Sequence, residues 1–253
     1  MSSLKVRDLC KTYIINKIQN NVLRNINFEI NEGEMIAIMG PSGSGKSTLL
    51  YVVSGMDNLT AGKVDYFGKE ISAFSANEIS DLRLNEMGFI FQQMYMLKNL
   101  SIYDNIILPA YQSKNGKSKK EINIRARELM NKLGISEIAE NDTNQVSGGQ
   151  LQRACICRSL INSPKMIFAD EPTGALNQQN SREVMRELNK INEDGTTIML
   201  VTHDMKVAAK CSRIMYIEDG TIKGEIHLGK FIEDNNLKDR ERKVNNWLME
   251  MGW

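Results

Sequence analysis

The sequence predicts an α/β fold built around a mainly parallel sheet. Three observations predict it. A short apolar run, Met35–Met39, stops at a glycine-rich segment and reads as a buried central strand. From residue 166 onward, apolar runs of strand length alternate with segments of helical spacing. Between these two parts, residues 93–165 carry mostly helical patterning, as an insert within the α/β body would. Strand–helix–strand alternation requires crossovers, and these place helices on the faces of a parallel sheet.

Composition narrows the class. The 253 residues include 32 Lys+Arg and 31 Asp+Glu, a net charge of +1. A chain of this length buries a core without metal or disulfide staples. Near-neutral charge excludes a nucleic-acid binder driven by bulk basic charge. No run approaches the roughly 18 apolar residues that span a bilayer. The polar start, residues 1–13, lacks the apolar stretch of a secretory signal. The expectation is a cytoplasmic protein whose Cys10, Cys155, Cys157 and Cys211 are thiols. Cys155 and Cys157 form CxC, and His203 and His227 are the two histidines, so no zinc spacing emerges. The cysteines read as small buried side chains.

The elements follow in order. Residues 4–6 form a short candidate strand, and Ile26, Phe28 and Ile30 alternate with polar residues in a second. Glu32-Gly33 marks a turn before Met35–Met39. A helix is expected over 46–54, a turn over 58–62 and a strand over 63–67. Residues 114–120 read as a polar loop. Ile122, Ala126, Leu129, Met130 and Leu133 then share one face of a helix over 121–133. The last part predicts strands at 166–169, 197–201 and 214–218, with helices at 181–191 and 205–211. No internal repeat is present.

The segment Gly40-Pro41-Ser42-Gly43-Ser44-Gly45-Lys46-Ser47-Thr48 matches G-x-x-x-x-G-K-[ST]. Its chemistry needs each part. Glycines let the backbone wrap phosphate oxygens, successive N–H groups point inward, and a helix N-terminus adds positive potential. Lys46 can reach the β- and γ-phosphates, and the Ser47 hydroxyl can coordinate Mg²⁺. An accidental Gly/Ser turn is the competing reading, but this loop follows an apolar strand and opens a helix. Alone, it specifies only a nucleoside triphosphate.

The apolar run at 166–169 ends in Asp170 and Glu171, where an α/β sheet presents ligands. Asp170 suits a Mg²⁺ shell. Glu171 can polarise an attacking water. Capping of the turn at Pro172-Thr173-Gly174 is the structural alternative. No NKxD motif for reading guanine occurs, which turns the reading away from GTPases.

Residues 146–153 read VSGGQLQR. With the phosphate loop, the acidic strand end and His203 after 197–201, the chain resembles the ATPase subunit of ATP-binding cassette (ABC) transporters over about residues 4–225. The resemblance implies the ABC ATPase fold: a phosphate-loop core with a mainly parallel sheet, an N-terminal antiparallel β part and a helical subdomain at 93–165. It implies an ABC ATPase domain at 1–228 and a C-terminal amphipathic tail at 229–253. ATP and Mg²⁺ are the implied cofactors. Tyr13 matches the aromatic that stacks on adenine, with an ordinary half-buried strand residue as its alternative. Gln92, in GFIFQ, matches the glutamine that touches Mg²⁺ and the attacking water; Gln93 adjoins it. Ser147, Gly148, Gly149 and Gln150 match the signature loop, which in the family faces the ATP of a second subunit. His203 matches the switch histidine that contacts the γ-phosphate and orients Glu171. The implied catalytic group is therefore Glu171, His203 and Gln92, and the implied metal set is Ser47, Gln92 and Asp170. Two departures stand out. The usual SALD is Gly174-Ala175-Leu176-Asn177 here, and Val146 replaces a leucine.

A single cassette with only about 100 residues between Lys46 and Ser147 argues against translation factors with two cassettes and repair ATPases with coiled-coil inserts. A transport ATPase that borrows its membrane channel remains. The wording GFIFQ, DEPTGAL and THD is similar to the lipoprotein-release, macrolide-export, cell-division and antimicrobial-peptide-resistance branch, which implies an FtsX-like permease. That partner would sit on a groove near 93–106, where Met94, Tyr95, Met96 and Leu97 are adaptable apolar residues; core packing is the alternative. Peptide-antibiotic export, detoxification or sensing is the nearest resemblance. Lipoprotein release, cell-division mechanotransmission and a non-transport ABC ATPase are the rivals. A second copy of the chain is implied, and no nucleic acid. In the tail, Leu237, Val244, Trp247, Leu248 and Met251 fall near helical spacing, which predicts an amphipathic helix packed on its own domain.

Overall fold

A computed structural model describes residues 1–114, 116–232 and 237–253. Asn115, in the loop expected at 114–120, and residues 233–236 of the tail lie outside the described residues. Two sheets organise the chain. The first is antiparallel, with order β2-β1-β4-β5, and comprises β1 (Ser2–Ile15), β2 (Ile18–Asn31), β4 (Ala61–Tyr66) and β5 (Lys69–Glu70). The second has order β10-β9-β3-β8-β7-β6 and comprises β3 (Met35–Met39), β6 (Met87–Phe91), β7 (Met166–Asp170), β8 (Thr197–Val201), β9 (Arg213–Glu218) and β10 (Thr221–His227). Its pairings are parallel except β9 with β10, a hairpin at the edge.

The central strands are buried on both faces, and alternate residues feed two cores. Met35, Ala37 and Met39 enter one core; Ile36 and Ile38 enter the other. β7 and β8 divide in the same way, with Phe168 and Met199 facing the antiparallel sheet and Ala169 and Leu200 facing the helices. This explains why these strands read as unbroken apolar runs. Helix α1 (Lys46–Val53) packs in the core shared with the antiparallel sheet. The insert supplies α3 (Ile102–Gln112), α4 (Lys119–Lys132) and α5 (Gly148–Leu160) to the other face, beside α6 (Gln178–Glu193) and α7 (Met205–Ala208).

Several boundaries differ from expectation. The short strand expected at 4–6 is part of a 14-residue strand that pairs with β2 along its length, with bulges that shift the register. The turn expected at 58–62 ends early, because β4 already begins at Ala61, which pairs with Cys10 of β1. The helix expected at 205–211 closes at Ala208. α2 (Ala76–Glu86) was not foreseen: Leu82 is its one buried apolar residue, so it has no apolar stripe. Its signal is the capping box of Ser75 and Glu78.

The tail helix α8 (Leu237–Glu250) buries Val244 and Leu248 in the helical-face core. The Trp247 ring meets Tyr216 of β9 edge-on, with centroids 6.3 Å apart. Buried Arg240 donates to the carbonyls of Ala209, Cys211, Leu228 and Gly229 at 2.7–3.1 Å. All three cysteines outside β1 are buried. Among the described residues, no cluster suits a metal held by His, Cys and carboxylates, and no helix is long and apolar enough to cross a membrane.

Candidate functional site: a phosphate loop, an acidic strand end and a strand-exit histidine

β3 delivers the chain to the loop and α1 carries it away. Gly40 has φ 151°, and a Cβ there would lie 1.9 Å from the Ile217 carbonyl oxygen. Only glycine fits so close an approach. Gly45 has φ 101°, and its Cβ would lie 2.9 Å from Leu23. Pro41, Ser42 and Gly43 form an exposed crest. The Lys46 ammonium donates to the carbonyls of Gly40 and Pro41 at 2.8 and 2.7 Å. Burial holds its pKa below the usual lysine range, opposed by the Glu171 and Asp170 carboxylates. The Ser44 hydroxyl is buried without a hydrogen-bond partner. A glycine cradle, a cation and a buried hydroxyl together fit a polyphosphate.

Ser47 and Tyr51 lie one turn apart on α1 and so share a face. Ser47 Oγ donates to Asp170 Oδ1 at 2.9 Å, and Tyr51 Oη donates to Asp170 Oδ2 at 2.7 Å. Burial and then the carboxylate raise the Tyr51 phenol above its ordinary range, so it remains a donor. Hydroxyl and carboxylate oxygens are the hard donors that Mg²⁺ takes.

Glu171 is the first residue beyond β7 and sits in left-handed backbone, φ 47°. That conformation costs a non-glycine residue about 1–2 kcal/mol and turns the chain sharply. Its carboxylate faces β8's exit. Glu171 Oε1 accepts from the His203 backbone N at 3.1 Å and lies 2.8 Å from His203 Nδ1. Asp204 then caps α7, its Oδ1 accepting from Lys206 N at 2.7 Å.

Gln92 follows β6, beside Asp170's strand. A Cβ at Gly174 would meet Gln92 Nε2 at 2.9 Å and Glu171 Cβ at 3.4 Å. Gln92, Gly174 and Glu171 therefore adjoin, which explains glycine at 174. Gln93 is exposed. The next two residues, Met94 and Tyr95, both have positive φ, 61° and 45°. Arg158 of α5 clamps them, donating to the Met94 and Tyr95 carbonyls at 2.5 and 2.8 Å.

Tyr13 is half-buried on β1. Its hydroxyl donates to Asp57 Oδ2 at 2.5 Å, and the Lys11 ammonium stands 4.6 Å from the ring centroid. Burial and the Asp57 carboxylate raise its pKa. Thr48 lies beside the phenol.

Ser147 caps α5, accepting from Gln150 N while Gln150 Oε1 accepts from Ser147 N. Ser147 and Gly148 are exposed. Among the described residues, no hydrogen bond joins 147–150 to 40–48. The signature stands apart from the phosphate loop, while Lys46, Ser47, Gln92, Asp170, Glu171 and His203 gather at one sheet end. A Cβ at Gly149 would meet the Asn180 amide at 2.7 Å. Gln152, fully buried, donates to the Pro172 carbonyl at 2.7 Å, and Arg153 pairs with Glu183 at 2.7 Å. The signature helix is thus tied to the segment after Glu171. Asn177 accepts from Asn180 N at 2.9 Å and caps α6. Asparagine makes this cap as well as aspartate does, so the departure from SALD keeps the helix start.

The residues after the clamp divide between the two readings of 93–106. Met94 is buried and packs in place. Tyr95 and Leu97 are 60% and 50% exposed. Asn105, buried, fixes Leu97 through bonds to both its N–H and its carbonyl. Tyr51 and Arg158 are the neighbours that sequence reasoning missed. Tyr51 had a signal: it stands four residues after Ser47 in a predicted helix.

A phosphate loop on a parallel sheet, facing an acid pair and a histidine bonded to one of those acids, defines a phosphate-loop ATPase. The ABC transporter family matches residues 23–174, and the chain belongs to that family. It is 40% identical over 219 residues to an uncharacterized ABC transporter ATP-binding protein, YknY, of Bacillus subtilis, covering 87% of this chain and 94% of that one. It is 37% identical over 248 residues to the macrolide export ATP-binding/permease protein MacB of Pasteurella multocida, covering 98% of this chain and 37% of that one. The chain spans about a third of the length of the MacB proteins it matches. Among solved structures, it resembles a dimeric post-hydrolysis state of the cassette MJ0796 bound to ADP and Pi, with TM-score 0.83, 37% identity and coverage of 90% of this chain and 100% of that one.

Proposed function

We propose that this chain is the ATP-hydrolysing motor of an exporter, working as a pair of copies beneath an FtsX-like permease. Glu171 held by His203 next to Asp170 and Ser47 is the observation that carries the reading. Glu171 polarises the attacking water, and His203 and Gln92 orient it. Lys46 and the loop 40–48 hold the phosphates, and Tyr13 offers a ring to adenine. Ser47 and Asp170, with Gln92 beside them, would hold Mg²⁺, which when bound neutralises charge developing on the phosphates. Residues 1–228 form the ATPase domain, with the helical subdomain at 93–165, and 229–253 brace it.

Exposed Ser147 and Gly148, apart from the chain's own phosphate loop, suit contact with the ATP of a second copy. The dimeric cassettes and the two-part MacB relatives support this arrangement. In the same reading, the chain works at the inner face of the membrane and powers antimicrobial-peptide export, detoxification or sensing. The test is capture of tagged Glu171→Gln from native membranes in ATP. Recovery of a permease with a large extracytoplasmic domain supports the reading, and growth with peptide antibiotics then tests the cargo. Recovery of soluble partners alone, from intact membrane complexes, overturns it in favour of a non-transport ABC ATPase.

A further inference from the structure

We propose that Tyr51 is a positioning residue that locks the Asp170 carboxylate for metal binding. The inference rests on the reading of Asp170 as a Mg²⁺ residue.

Asp170 ends β7 with both oxygens engaged. Ser47 takes Oδ1 and Tyr51 takes Oδ2, at 2.9 and 2.7 Å. Two donors on different oxygens fix the plane of a carboxylate, which one donor leaves free to rotate. The two donors are not equivalent. Ser47 must turn a lone pair toward a cation while it donates, so its geometry changes when metal arrives. Tyr51 has no such second duty and keeps its grip on Oδ2 throughout. Partners of this outer kind set the orientation of metal-site carboxylates.

The phenol is itself held in place. Phe91 is the parallel-sheet partner of Asp170, so its ring stands next to the carboxylate. Tyr51 and Phe91 rings pack with centroids 6.4 Å apart at 56°. Phe91 is stacked on Phe89 at 6.1 Å and meets the Tyr95 ring edge-on at 5.4 Å. The hydroxyl is thus carried on a ring that neighbouring rings register, one residue before Gln92.

Tyr51→Phe keeps the ring and removes only the hydroxyl. The experiment measures binding of a fluorescent ATP analogue to the full chain, first in EDTA and then across a MgCl₂ titration, with Asp170→Asn beside it. Tyr51→Phe should keep the wild-type melting temperature and the affinity measured in EDTA. Its half-saturating Mg²⁺ concentration should rise about tenfold, and the Mg²⁺ requirement for hydrolysis should rise in step. An unshifted or lower Mg²⁺ requirement in Tyr51→Phe, with a shifted one in Asp170→Asn, overturns the role of Tyr51 alone. A wild-type Mg²⁺ requirement in Asp170→Asn overturns the metal assignment beneath it.

Discussion

His203 grips one oxygen of Glu171 twice, through its backbone N–H at 3.1 Å and its imidazole Nδ1 at 2.8 Å. The two contacts respond differently to mutation. Glu171→Gln keeps the shape of the side chain and removes its basicity, so turnover should fall by about 10²–10⁴ while ATP affinity is retained. His203→Ala deletes the ring and keeps the backbone bond, so Glu171 remains near its place. Its residual rate should exceed that of Glu171→Gln. Steady-state phosphate release and ATP binding on both variants measure this, and normal hydrolysis by Glu171→Gln would remove that residue from the base role.

Much of this constellation was legible because chemistry and spacing coincide. Gly40, Lys46 and Ser47 announce a phosphate loop, and the apolar run into Asp170 and Glu171 announces a strand end. The strand at Met35–Met39 was legible to the residue, since a run buried on both faces has nothing polar to blur its ends. Elements that lean on others were harder to see. α2 buries only Leu82 along its length, so its periodicity is silent and only its cap speaks. β6 contains Gly88, where a Cβ would lie 2.8 Å from the Ser159 carbonyl oxygen. That glycine weakens a strand signal for the sake of close packing against α5. The division at Met94, buried, and Tyr95, exposed, depends on the Arg158 clamp, a contact across 63 or more positions that no local pattern encodes.

The tail helix should contribute to stability as a part of the core. Leu248 is 1% exposed among residues of the sheet's helical face. Leu248→Ala should cost about 2–5 kcal/mol, as a buried truncation does. Urea unfolding reads this out. A loss within about 0.5 kcal/mol, the range of a surface substitution, would mean that α8 is detachable from the domain.

Burial also sets the behaviour of the thiols. It pushes Cys155 up to about 11 and Cys211 up to about 12, from a reference of 9.0, and raises Cys157 as well. Raised folded-state values favour the neutral thiol in the fold. Their contribution is therefore complete below pH 9 and is lost as pH climbs through 9 toward 11 and 12. Iodoacetamide at pH 8 should modify native protein at half-buried Cys10 and spare the other three, which react only after denaturation. Mass spectrometry of the alkylated peptides decides it, and rapid native labelling of Cys157 would show that α5 opens readily.

The exposed end of the clamp gives the sharpest test of a partner surface. Tyr95 is a poor probe, because its ring also supports Phe91 at 5.4 Å. Leu97 separates the roles: its side chain is half exposed, while Asn105 fixes its backbone from both sides. Leu97→Ala should therefore leave the loop in place and the basal ATPase within about twofold, as surface substitutions do. Coupled to the permease proposed above, the variant should lose most of the permease-linked stimulation, since a truncated apolar anchor weakens a docked interface by about 1 kcal/mol or more. Paired assays of basal and permease-stimulated hydrolysis make the comparison. Equal loss of both rates would place Leu97 in the fold and move the docking surface elsewhere. Loss of stimulation alone would tie residues 93–106 to the permease through the strand end that also carries Gln92.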